Sequence, residues 1–77
     1  MRLSRGDVQN VAFEDFADLV EGFGFLLARV AGSHHIFKRR DIPEMVNLQE
    51  VKSEAKPYQI RQFLRSVERY NLMLEDG

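Results

Sequence analysis

Two apolar stripes at helical spacing, one toward each end of the chain, limit what this sequence can fold into. Phe13, Phe16, Leu19, Val20 and Phe23 recur at three- and four-residue steps, and Ile60, Phe63, Leu64 and Val67 do the same. Each stripe specifies an amphipathic helix with an apolar side to bury. A chain of 77 residues has room for one core, because a domain of this size buries only about 60% of the surface its unfolded form exposes. It contains no cysteine, so packing alone must hold it, without disulfides or thiolate zinc sites. Both helices therefore share one apolar surface, and the residues between them must supply it.

Those residues read as strands. Residues 25–31 form a short apolar run bounded by Gly24 and Gly32, with Arg29 as an outward residue. Gly32-Ser33 turns this strand into a second one over residues 33–39. A third strand over residues 45–48 is expected after a turn at Asp41-Ile42-Pro43-Glu44. Residues 51–56 read as a polar loop, and Pro57 stands where proline suits the first turn of a helix. In the first helix, Glu14 and Asp15 sit where the helix dipole favours anions, and Gly24 is placed to be its left-handed terminator. The order is α-β-β-β-α. It is an α+β domain, a three-stranded antiparallel sheet with both helices on one face and the other face open. Residues 1–77 read as a single domain in which residues 1–10 form a flexible N-terminal segment.

The formal net charge of -1 argues against a generally basic coat, and its distribution says more. From 13 to 21 the charges are Glu14, Asp15, Asp18 and Glu21; from 22 to 40 they are Arg29, Lys38, Arg39 and Arg40. No run approaches the roughly 18 apolar residues of a membrane span, and no signal peptide is evident. The expected location is the cytoplasm, away from membranes.

Chemistry concentrates in Gly32-Ser33-His34-His35-Ile36-Phe37, followed by Lys38-Arg39-Arg40. Neighbouring strand residues point to opposite faces, so His34 and His35 cannot both reach one ion, and neither a metal nor another cofactor is expected. If Phe37 faces the helices, His35 shares its face near the sheet rim, while His34, Ile36 and Lys38 face the other way. RNA carries its own nucleophile, the ribose 2′-hydroxyl, so cleavage needs only a base, an acid and positive charge at the phosphate. Histidine, with an ordinary pKa of about 6.5, suits both proton-transfer roles near neutrality. On local sequence alone, His35 reads more simply as a hydrogen-bonded structural histidine and the basic trio as a solvated strand end. Ser33 lies about 7 Å from His35 along a strand, which makes it a turn residue rather than a nucleophile.

Arg61, Arg65 and Arg69 form a like-charged row at successive i+4 positions. Their partner could be RNA phosphate, an acidic protein surface, or Glu14, Asp18 and Glu21 of the first helix. Tyr58 and Tyr70 read as half-buried helix-end residues. Asn47 and Gln49 alternate with Leu48 and project from the open face with no evident role.

The Gly32-to-Arg40 block, with Asn47-Leu48-Gln49 and residues 56–64 behind it, resembles the HicA family, the small mRNA-cleaving toxins of bacterial toxin-antitoxin pairs. The likeness runs from about Phe13 to Leu72 and centres on a G-S-x-H signature, here Gly32-Ser33-His34-His35. It implies a double-stranded-RNA-binding-like fold and a metal-independent endoribonuclease with His35 as catalytic base or acid. It also implies mRNA contacts from Ser33, Lys38, Arg39 and Arg40, and a HicB-like antitoxin covering the active face. The sequence departs from the commoner HicA pattern after the hairpin, where residues 51–56 and Pro57 replace a short helix starting near a Gly-Thr. A non-catalytic RNA-binding or protein-interaction module of the same fold is the alternative.

Overall fold

Helix α1 occupies Phe13–Gly22, where the first stripe predicts it. Gly24 ends it with φ +93°, its N–H donating to the carbonyl of Glu21 at 2.9 Å, as a left-handed terminator should. Helix α2 spans Pro57–Arg69 and starts on its proline. The computed structural model describes residues 10–75; the expected flexible N-terminal segment falls, but for Asn10, outside them.

Between the helices lie β1 (Leu26–Ala31), β2 (His34–Arg39), β3 (Ile42–Val51) and β4 (Glu54–Ala55). They form one antiparallel sheet in the order β1-β2-β3-β4. The β1–β2 turn is Gly32-Ser33, with Ala31 opposite His34 and a φ of +61° at Gly32 only. Positive φ at the first central residue alone is the signature of a two-residue type II′ hairpin, and glycine meets it without strain.

The sheet has four strands, not the three expected from sequence. β3 runs on to Val51 and reverses through Lys52 and Ser53, whose φ values are 51° and 65°. Two consecutive left-handed residues make the tight turn that starts β4, yet neither is the glycine or asparagine that usually announces one. The expected polar loop therefore holds a hairpin end. The turn expected over residues 41–44 likewise shrinks to Arg40-Asp41, and Pro43 lies inside β3. It sits where the β2–β3 register slips between Phe37 and Arg39, an irregularity that tolerates a residue without an N–H.

Alternation sorts the sheet's side chains. Phe37 and Leu48 face the helices and are buried with Phe16, Val20, Phe25, Ile60 and Phe63. Phe63 is the hub, its ring meeting Phe16, Phe23 and Phe25 edge-on at centroid distances of 5.6, 5.6 and 5.7 Å. Both helices thus cover one face and leave the other open. Edge strand β1 is exposed along its length, and its register slips between Leu27 and Arg29. Among the described residues no helix is long and apolar enough to cross a membrane.

Truncating the hub should be severe. Phe63→Ala is expected to cost about 3–5 kcal/mol, the usual range for a buried phenylalanine and much of what a domain this small has. Chemical denaturation read by circular dichroism measures it; an unchanged midpoint would remove Phe63 from the core.

Candidate active site

The type II′ turn delivers both histidines at the start of β2, His34 opposite Gln49 of β3 and His35 opposite Leu48. Because Leu48 is buried against the helices, His35 lies on the helix side and His34 on the open side. The His35 ring packs on Phe13, centroids 4.8 Å apart and planes tilted 53°. Its Nδ1 is buried without a hydrogen-bond partner. An N–H there would be orphaned, which favours the Nε2–H form of the neutral ring.

His34 is arranged in the opposite sense. Its Nδ1 lies 3.1 Å from Oδ1 of Asn47, which accepts only if Nδ1 bears the proton. In the neutral ring this hydrogen bond leaves the lone pair on Nε2, the form a general base requires. Beside it, Gln49 Nε2 donates to Ser33 Oγ at 3.4 Å. The backbone N–H of Gln49 donates to Oε1 of the buried Gln59 at 2.8 Å, tying α2 to this end of β3. Gln59 Nε2 donates in turn to the Tyr58 hydroxyl at 3.4 Å, and the Lys56 ammonium lies 5.7 Å from the centre of that ring. Sequence reasoning assigned no role to Asn47 or Gln59. Strand alternation did place Asn47 on the same face as His34, which was the available signal.

The basic segment does not gather around either histidine. Lys38 is exposed on the open face with His34. Arg39 turns to the helix side, where Nη1 donates to the carbonyl of Phe23 at 2.7 Å and Nε pairs with Asp41 at 2.8 Å. Its Nη2 also lies 3.9 Å from Glu75. Arg40 is exposed in the next turn, five residues or about 16 Å along the strand from His35.

The arginine row divides too. Arg69 pairs with Glu44 at 3.0 Å, whereas Arg61 and Arg65 make no ion pair among the described residues. Pairing with the acidic row of α1 does not occur there. Among the described residues no three histidine, aspartate or glutamate side chains converge as metal ligands would.

The tautomer of His34 is open to test. Asn47→Ala should release the ring and move its proton population from Nδ1 toward Nε2, leaving His35 unchanged. Imidazole ¹⁵N shifts read this directly; an unaltered His34 spectrum would mean that Asn47 does not orient it.

No curated protein and no solved structure matches this chain. A family model described as the HicA toxin of bacterial toxin-antitoxin systems matches residues 13–68. That span starts with the first residue of α1, includes the whole sheet and the histidine pair, and stops one residue short of the end of α2. The chain belongs to the HicA toxin family of bacterial toxin-antitoxin systems.

Proposed function

We propose that this toxin is a cytoplasmic endoribonuclease that cuts mRNA without a metal ion and is neutralised by a HicB-like antitoxin. The observation that carries the reading is the histidine pair, presented by a strain-free turn at the start of a strand in a chain of this family. In the reaction, a base takes the proton of the 2′-hydroxyl and its oxygen attacks the adjacent phosphorus. The P–O5′ bond then breaks, leaving a 2′,3′-cyclic phosphate, while an acid protonates the departing 5′-oxygen. Basic side chains offset the charge that builds on the phosphoryl oxygens.

His35 takes the last place in G-S-x-H and is the assigned catalytic histidine. Its Nδ1 is shut from solvent, so the proton that His35 gives as acid or takes as base would be exchanged at Nε2. Ser33, Lys38 and Arg40 are exposed and would hold the RNA, the two basic residues meeting phosphates flanking the one cut. Arg39 would contribute by fixing the course of that segment, since Phe23 and Asp41 already engage its guanidinium.

One observation favours a second reading, with His34 as the base. The Asn47 hydrogen bond orients its ring and leaves Nε2 free to accept a proton. The faces are opposite, so the two histidines do not serve one phosphate together.

Alanine variants separate the readings. His35→Ala should lose about 10²- to 10⁴-fold in RNA cleavage, the range for removing an acid or base, and should no longer arrest growth on induction. His34→Ala should retain both activities, with circular dichroism showing each variant folded. The reverse pattern transfers the role to His34, and undiminished cleavage by both variants overturns histidine catalysis. Cleavage should persist in EDTA; loss restored by magnesium or zinc would contradict the metal-free mechanism.

A further inference from the structure

The outer edge of β3 is only partly covered. β4 pairs with Glu50 and Val51 alone, so from Glu44 to Leu48 no described strand lies beside it. Two hydrogen bonds fix which way the backbone points. The N–H of Glu50 donates to the carbonyl of Ser33 on the β2 side, and that of Gln49 donates to Gln59 on the α2 side. Because strand N–H and C=O groups alternate sides, the backbone of Asn47, two residues before Gln49, also points away from β2. Met45, at the β2–β3 register slip, lines the groove on the same side. A strand edge with donors and acceptors facing outward is a template for another strand.

α2 does not close this edge but stands off from it. Between them runs a groove of about 390 Å³, lined by Met45, Asn47, Gln62, Arg65, Ser66 and Arg69 among others. Its charge is one-sided. Glu44 is spent on Arg69 at 3.0 Å, while Arg65 on the wall and Arg61 one turn earlier make no ion pair among the described residues.

We propose that this groove takes an extended acidic peptide segment of a partner protein, which adds to the free edge of β3 and places carboxylates on Arg61 and Arg65. The spacings agree: a strand repeats its side-chain direction every two residues, about 6.8 Å, and one i to i+4 step along a helix advances about 6 Å. A peptide also satisfies both kinds of edge group, since it supplies N–H donors to the carbonyls as well as acceptors to the N–H groups. A nucleic-acid strand would offer phosphate to the arginines but no comparable ladder of donors. Main-chain pairing with side-chain selection is how sheet edges recognise peptides. The inference goes beyond the ribonuclease reading and does not depend on it.

The test titrates a short synthetic peptide of alternating glutamate and valine into the ¹⁵N-labelled full chain. The amides of Met45 and Asn47 should shift most, and Arg61→Glu with Arg65→Glu should weaken binding at least tenfold while leaving circular dichroism unchanged. The same peptide N-methylated at alternate residues keeps its charge but loses its ladder donors, and should not bind. Equal binding by the N-methylated peptide would reduce the effect to charge alone and overturn strand addition. So would unmoved Met45 and Asn47 amides at millimolar peptide. A single-stranded DNA oligonucleotide, used as an RNA that cannot be cut, should leave those amides in place. If it shifts them while the peptide does not, the groove is a nucleic-acid site and the proposal fails.

Discussion

Everything in this domain depends on the three edge-to-face contacts of Phe63, which join a side chain of α2 to Phe16 of α1 and to Phe23 and Phe25 beyond it. Such pairs contribute about 0.5–1.5 kcal/mol each beyond the area they bury. Their larger role is geometric: a sheet with one open face can be covered only once, so both helices must meet over the same few residues. No disulfide shares the task. The long range of the Arg39 side chain assists it, since the bond to the Phe23 carbonyl holds the segment between α1 and β1 against the far end of β2.

The same one-sided covering separates the histidines. Adjacent in sequence, they meet different physics because a strand turns successive side chains to opposite faces. His35 rests on Phe13 with a ring nitrogen shut from water. His34 lies on the open face under the control of an amide. The surroundings therefore hold the two rings differently, one through a hydrogen bond at Nδ1 and the other with Nδ1 buried against α1.

Much of this was legible in the sequence, and the misses have physical reasons. The helices followed from their stripes, the first turn from Gly32-Ser33, and the division of the histidines from strand parity. β4 was not legible because Lys52 and Ser53 adopt left-handed backbone without belonging to the residues that favour it, so tertiary pairing overrides local preference there. Pro43 read as a turn because the register slip that accommodates it involves the partner strand. In the site, nothing local reveals that Arg39 is engaged by Phe23 and Asp41 while Lys38 and Arg40 stay exposed. The Arg69–Glu44 pair is equally non-local.

The connectivity of the sheet has a consequence for how the chain reaches this state. β1, β2 and β3 follow one another through turns of two residues, so their pairing closes only small loops and suits early formation. The contacts that complete the core join distant positions: Ala12 bridges Glu54, and Phe16 meets Phe63. On the ribosome, where residues emerge in order, the meander can form while Phe37 and Leu48 have only α1 to cover them. Until α2 has been synthesised and docks, that apolar face stays open to chaperones and proteases. At that stage the nascent chain already holds its histidines and the Phe13 and Asn47 side chains that flank them, while the core beneath is still uncovered by α2.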